Sequence, residues 1–552
     1  RNNTITGNSH GIYVQYATPV IDGNTITGST NYGIFYYDAR NAPGITNNTI
    51  TGNMIPLLIP ASSLPDNTNV LTPNTRNYIG IRGNNILTDK QLRVWDKGTP
   101  NEINTYVLYD ADLTVPVYTF LTIDPGVIVK FASNAGIVVD GALTANGTTA
   151  EKIVFTSLKD DSYGGDTNND VSNSIPLNGD WRGITFNDSF FESSSRVNNV
   201  RIRYAGSNGS GALYFYQANV LAENNEISNS STNGIRLYNA SPLITGNTIW
   251  GNSGDGIRVE QSSNPAITFN SISSNLSDGI EVIGSANPTA TNNQIFMNRE
   301  YGLRNGTLNL IDATQNWWGD PDGSGPYHPT TNPAGIGNSV SNLVDYDPFQ
   351  TTVATGFSYR NFSLTAGTTG GSMTLPVLTQ GTLSDDWDAS KRPDRTMAWD
   401  YNVVILDYTG LDSSKRYKIR TSYFNGDAGS IQSLTDGMGD PIHGSMIMPT
   451  SVPVQYEFSI PASYYTDGTL TLKFVHDNPA TSIRAAVTEA WVMEDIPELS
   501  PPRFESVEYN DIDGSSSLNV GDELFFRFSE EMDTSLLVDG TTDANVRLVS
   551  AG

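Results

Sequence analysis

The chain contains no cysteine. That excludes a disulfide framework, and the redox compartment cannot be read from cysteine pairing. With 552 residues the chain is long enough to build cores that need no such staples. Positive charge is scarce: 31 Lys and Arg face 58 Asp and Glu, a net charge of −27. This balance argues against a nucleic-acid partner, whose phosphates need Lys and Arg to neutralise them. Charged residues of both signs make up only 16% of the chain, whereas Gly, Asn, Ser and Thr are abundant. Such a composition suits β-rich extracellular proteins better than helical cytosolic enzymes. No apolar run reaches the roughly 18 residues of a membrane span, and no signal peptide is visible. The four histidines, His10, His328, His443 and His476, stand far apart, without metal-ligand spacing. A phosphate-cradling glycine loop and a serine nucleophile elbow are also missing. The chain opens on Arg1 inside a repeat and stops at Gly552 without a natural close. We therefore expect a fragment of a longer protein, for which absent signals and anchors carry no weight.

What the chain does have is repetition. "NNTITGN" stands at 2–8, "GNTITGS" at 23–29 and "NNTITGN" again at 47–53. The period is clearest between 225 and 305. "NEI", "NTI", "NSI" and "NQI" begin at Asn225, Asn247, Asn270 and Asn293, and a second ladder runs Gly234-Ile235, Gly256-Ile257, Gly279-Ile280, Gly302-Leu303. Pro242, Pro265 and Pro288 make a third. Each period holds short alternating apolar segments ("GIRLY", "PAITFNSI") between Asn/Gly/Ser turns, and helical periodicity is absent. One coil per 22 or 23 residues predicts a parallel β-solenoid in which each strand stacks on its copy in the next coil. Ile235, Ile257, Ile280 and Leu303 should form an internal aliphatic stack, and the four asparagines a hydrogen-bonded ladder at a corner. Asn also tolerates the left-handed backbone that sharp corners require.

This pattern resembles the right-handed parallel β-helix family, the fold shared with pectate lyases, over most of residues 1–349. The resemblance implies an all-β chain, a right-handed parallel β-helix solenoid followed by β-sandwich modules. Residues 54–103 lose the strict period, and "ATQNWWGDPDGSGPYHPTTNPAGIGNSVSNLVDYDPF" (313–349) resembles a segment that closes such helices, with Trp317 and Trp318 covering the open end. We therefore expect residues 1–90 to end one β-helix and 91–349 to form a second, with a single continuous solenoid as the alternative. Residues 350–497 carry alternating strands such as "YNVVILDYTGLDSSKRYKIRTSYFN" and resemble a galactose-binding-like jelly-roll module. Residues 498–552, with "FSEEMD" at 528–533, resemble the truncated start of a bacterial immunoglobulin-like domain.

The outward face of the repeat is where chemistry is expected. Because Ile235 and Leu237 point inward, strand alternation sends Arg236 outward. Arg236, Arg258, Glu281 and Arg304 then share one outer column, with Asp255 and Asp278 at its edge. Polysaccharide lyases on this fold use an Arg or Lys base, and glycosidases use carboxylates about 5–9.5 Å apart. On this resemblance, Asp255, Asp278, Arg258 and Glu281 are the candidate catalytic set. Arg236, Arg304, Tyr214, Tyr216 and the loop residue Trp387 are candidate sugar contacts. The plainer reading of the column is a salt-bridged surface, and no lyase or polygalacturonase motif is evident. The loop "DDSYGGDTNNDVSNS" (160–174) offers Asp160, Asp161, Asp166, Asn168 and Asp170 as a calcium set. It resembles the first half of an EF-hand loop but has Val171 and Leu177 where that pattern needs Gly and Glu. Aromatic residues recur at Tyr13, Tyr16, Phe35, Tyr36 and Tyr37, where alternation sends at least one ring outward as a sugar platform or as cover for neighbouring coils.

Three functions compete. One is a secreted or cell-surface protein that binds polysaccharide, without nucleic-acid partner or membrane span. Another is a lyase or glycoside hydrolase acting on an acidic or plant-type polysaccharide. The third is a structural stalk.

Overall fold

The structure is a computed structural model. It describes residues 1–351 apart from 39, 41, 42, 171–173, 190, 320–322 and 336. It also describes most of 377–494 and the segments 504–510 and 523–528. The chain forms two compact units, Arg1–Ile496 and Pro497–Gly552.

The repeat folds as its spacing requires. Successive coils pair in parallel and build three long sheets of eight, ten and twelve strands, with a three-stranded sheet in the opening coils. Register is one coil per repeat: Ile235 pairs with Ile257, Ile257 with Ile280 and Ile280 with Leu303. All four are fully buried. Each such side chain contributes about 1.5–3 kcal/mol relative to exposure. The stack is closed by Trp317 and Trp318, both buried, and by the last paired strands Ile311–Asp312 and Val344–Asp345.

The asparagine ladder is present with its full hydrogen bonding. Asn225, Asn247 and Asn270 each donate Nδ2–H to the Oδ1 of the next rung at 2.9–3.0 Å, and Asn293 passes the chain on to Asn316 at 3.1 Å. Each Oδ1 also accepts the backbone N–H of the preceding rung. The left-handed backbone falls one residue earlier than the rung, at Asn224, Gly246, Phe269 and Asn292. The ladder asparagines thus serve as buried hydrogen-bond spacers, and their neighbours turn the corner. A second ladder, Asn252–Asn275–Asn298–Asn338, repeats the device at another corner.

The division expected near residue 90 is crossed by an unbroken sheet. The twelve-stranded sheet runs from Ile12–Val14 through Ile55–Pro60, Tyr78–Arg82 and Thr105–Leu108 to Gln294–Phe296. Its order describes one continuous solenoid whose middle coils lose the sequence period because their loops vary in length while the strands keep pairing.

After the solenoid, antiparallel strands enclose a separate core that includes Leu406, Ile419, Leu434, Leu472 and Phe474. A three-stranded sheet of Val454–Ile460, Tyr417–Tyr423 and Glu489–Glu494 meets the solenoid. Arg420 lies 4.4 Å over the Trp250 ring and donates to Ser273 and Ser274. Asn229 donates to the Gln455 carbonyl at 2.7 Å. Trp250 and Ser273 are outward positions of the twelve-stranded sheet, so this antiparallel module covers that sheet's outer face. In the second unit, Phe504–Asn510 pairs antiparallel with Glu523–Phe528.

Candidate functional site

The outer face of the eight-stranded sheet stays free of the antiparallel module's contacts just described. Its register stacks Tyr214, Arg236, Arg258, Glu281 and Arg304 in one column, as strand alternation demands. Two residues along each strand lies a second column, Tyr216, Tyr238 and Glu260. The Arg236 guanidinium sits 5.1 Å over the Tyr214 ring, and Tyr216 stacks on Tyr238 at 5.4 Å. The upper half of the face is therefore aromatic and the lower half ionic.

Glu260, which the sequence reading passed over, ties the ionic half together. It accepts from Arg236 at 2.8 Å and from Arg258 at 2.6 Å. The signal was present: Glu260 stands one coil on from Tyr238 in the same register. Arg258 also pairs with Asp255 at 3.3 Å and with Glu281. Arg304 lies 3.6 Å from Glu281 and 3.8 Å from Asp278. Glu260 thus sits between the stacked Arg236 and Arg258, and Glu281 between Arg258 and Arg304, which relieves the repulsion that stacked arginines would suffer.

Asp255 and Asp278 hold the backbone. Asn233 Oδ1 accepts the Asp255 N–H, Asp255 Oδ1 accepts the Asp278 N–H, and Asp278 Oδ1 accepts the Tyr301 N–H, at 2.9–3.1 Å. They form a third corner ladder in which two rungs are carboxylates. Asp278 is fully buried, and its second oxygen makes no hydrogen bond. Burial, with the Asp255 charge next, pushes its carboxyl up to about 8. Burial and the same neighbour also raise Glu281, despite Arg258 and Arg304, and Glu281 shares a hydrogen bond with Asp255. With its carboxyl at about 8, Asp278 is largely neutral at neutral pH. The groups that reach solvent are Arg304, Arg258, Arg236 and the tyrosines. Of the sequence-proposed catalytic set, only Arg258 and the edge of Glu281 are open to a ligand.

In the 160–174 loop, the carboxylates of Asp161, Asp166 and Asp170 have oxygens within 4.8 Å of one another. Asp160 stands apart from this trio, because it accepts from Thr156 and Ser162 and pairs with Arg203. Asn168 turns its Nδ2 to Asp170 and Ser174, which leaves its Oδ1 without a hydrogen bond. The buried Lys130 ammonium, which no spacing in the chain places here, anchors the loop by donating to the Gly165 carbonyl at 2.6 Å. Burial lowers its pKa, while Asp161, Asp160, Asp166 and Asp170 oppose that shift. Trp387 lies outside the described residues. Among the described residues, no helix is long and apolar enough to cross a membrane.

Comparison with known proteins bears on the solenoid. Residues 1–105 match the family model of the periplasmic copper-binding protein NosD. That stretch of this chain has one histidine, His10, and one methionine, Met54. His10 is stacked 4.6 Å from Phe35, and its Nδ1 is buried. Copper sites draw on several imidazole or sulfur donors, so the residues here do not fit one. No curated protein matches the chain. Among solved structures, the Dettilon tailspike protein gp208 is similar over 87% of this chain and 86% of its own, at 10% identity and a TM-score of 0.24. The enzymatically active domain of bacteriophage CBA120 tailspike protein 2 is similar over 89% and 75%, at 10% identity and a TM-score of 0.24. Residues 167–316, which carry the Tyr214–Arg304 column, match the family model of the right handed beta helix region, so the coils that build the candidate site are those of a right-handed β-helix.

Proposed function

We propose that this chain binds polysaccharide along the outer face of the eight-stranded sheet, as a secreted or cell-surface protein. One observation carries the reading: tyrosine rings and arginines sit in register on one outer sheet face. Tyr214, Tyr216 and Tyr238 offer ring faces to pyranose C–H bonds. Arg236, Arg258 and Arg304, though ion-paired, offer donors to hydroxyls. Because strands repeat every ~4.8 Å, a linear glycan running along the columns would meet first the aromatic half and then the ionic half. The ion pairs hold these donors in place before a ligand arrives, which lowers the ordering cost of binding. Retention of the chain in gels cast with dissolved polysaccharide tests the reading. Tyr216→Ala should reduce retention, and full retention in that variant would overturn it.

A second reading, glycoside hydrolysis, draws on the raised carboxyls. Glu281 would be the proton donor, since it combines a raised pKa with a side chain that keeps 11% of its surface exposed. Release of reducing ends by the wild type, and its loss in Glu281→Gln, would favour hydrolysis over binding alone. We also propose that calcium joins the 160–174 loop. Lys130 supplies one positive charge to Asp161, Asp166 and Asp170, and the buried Thr167 hydroxyl has no hydrogen-bond partner there. Calcium takes oxygen ligands of these kinds.

A further inference from the structure

The opening coils carry a surface that the proposed face does not use. The outer column of the twelve-stranded sheet carries Tyr13 and Phe35, paired in register on successive strands. Their rings are stacked with centroids 5.4 Å apart. Tyr37 adds a ring 6.5 Å from Tyr13, and Tyr16 another 6.1 Å from Tyr37. His10 and Tyr32 pack behind Phe35 at 4.6 and 5.3 Å. Three of these rings are largely open to solvent: Tyr13 is 48% exposed, Tyr16 62% and Tyr37 49%. Tyr36, between Phe35 and Tyr37, points into the core.

Farther along, the same sheet face is covered by protein. There Trp250 lies under Arg420, and Ser273 accepts its hydrogen bond. The aromatic patch continues that covered face into coils where the antiparallel module makes none of these contacts. A contiguous exposed aromatic patch on a soluble protein marks an interaction site.

The chemistry of the patch selects its occupant. Its open rings all belong to tyrosine, so each apolar face comes with a hydroxyl. The two guanidiniums lying over the rings already have carboxylate partners. Arg40 sits 5.3 Å over Tyr16 and pairs with Asp38 at 3.4 Å. Arg82 sits 5.8 Å over Phe35 and pairs with Asp110. Asp38 is itself held by the Tyr16 N–H at 2.8 Å. Paired charges do not attract a polyanion, but they can still exchange hydrogen bonds with hydroxyls. The open rings follow one another at 6.5 and 6.1 Å, close enough for one glycan chain to bridge them.

From this geometry we infer that the Tyr13–Tyr16–Tyr37 patch is a second glycan-binding site, specific for uncharged pyranose chains. It deepens the polysaccharide-binding reading but rests on separate residues, so each can fail alone.

The test uses the full chain in native gels containing a neutral galactomannan, a neutral β-glucan or polygalacturonate, at low and high salt. The expected result is retardation by at least one neutral glycan that persists at high salt. In the double variant Tyr13→Ala, Tyr37→Ala it should weaken by about tenfold or more. Tyr13→Phe should keep it, since the ring remains and the fold is undisturbed. Neutral-glycan retardation that is lost in Tyr216→Ala but intact in the double variant would overturn this inference and leave the eight-stranded face as the site. The reverse pattern would support it and remove the other. Retardation by polygalacturonate alone, or by no glycan, would overturn it. So would concentration-dependent self-association that the double variant abolishes, which would make the patch an interface between copies.

Discussion

The asparagine ladder gives the sharpest quantitative test of how the repeat holds itself together. Asn270 is 1% exposed and takes part in five side-chain hydrogen bonds. Its Nδ2 donates to the carbonyls of Ile244 and Thr268 and to Asn293 Oδ1, at 2.9–3.0 Å. Its Oδ1 accepts both the backbone N–H and the Nδ2–H of Asn247, each at 2.9 Å. In Asn270→Ala some of these partners keep other bonds. Asn247 Nδ2 still reaches the Ala222 and Thr245 carbonyls, and Asn293 Oδ1 still receives the residue 270 N–H. The Asn247 N–H loses its acceptor in a buried corner. One orphaned buried group costs about 1–3 kcal/mol, and the remaining lost bonds add about 1 kcal/mol each at most. We therefore expect Asn270→Ala to destabilise the solenoid by roughly 3–5 kcal/mol. Asn264 supplies the control. Its Oδ1 accepts the Asn287 N–H at 2.9 Å across one coil, but at an exposed position where water can replace it. Asn264→Ala should cost about 0.5 kcal/mol or less. Equilibrium denaturation of both variants, followed by far-UV circular dichroism, measures the difference. If Asn270→Ala costs no more than Asn264→Ala, buried side-chain hydrogen bonding does not secure the corner, and backbone pairing alone must hold the coils.

Three further outcomes are expected. Asp278 has its folded pKa raised to about 8 from a usual value near 3.8, so its contribution to stability is complete below the lower value and is lost as pH rises through the higher. Asp278→Asn keeps the acceptor for the Tyr301 N–H, so it should flatten the fall in stability between about pH 4 and 8 and be more stable than the wild type at the alkaline end; an unchanged pH profile by chemical denaturation would refute this. Calcium should raise the melting temperature of the wild type and chelation should reverse the rise, with no response in Asp166→Asn, Asp170→Asn; an equal rise in that variant would locate the effect elsewhere. Arg420→Ala should release the antiparallel module from the solenoid, because it removes the cover on Trp250 and two buried hydrogen bonds and leaves Glu457 with Lys418 alone. Breaking a buried ion pair costs about 3–5 kcal/mol, and a red-shifted tryptophan emission with faster proteolysis between the two parts is the expected readout; unchanged emission would count against the contact.

The repeat was legible because a solenoid writes its tertiary contacts into its sequence. In a coil of 22 or 23 residues, the neighbour of Ile257 above or below is the residue one period away. Spacing alone therefore gives the strand register, the buried Ile stack, the asparagine ladder and the outward Arg236–Arg304 column. Where loops vary in length, as between 54 and 103, the period fades although the sheet continues, and a boundary was expected that the pairing does not have.

Other features depended on contacts that no spacing records. Arg420 meets Trp250 and Ser273 across some 150 residues of sequence, and that contact decides which outer face of the solenoid is covered. Lys130 reaches the acidic loop at Gly165 from a neighbouring strand. The chemistry of Asp278 follows from burial, because an aspartate reads the same in sequence whether it meets water or, as here, loses it and is pushed toward the neutral acid. The sequence alone determined the coil, its ladders and the direction of each side chain, since these follow from a periodic backbone. Which side chains keep their water was decided only in three dimensions, since desolvation depends on what packs against a face from elsewhere in the chain.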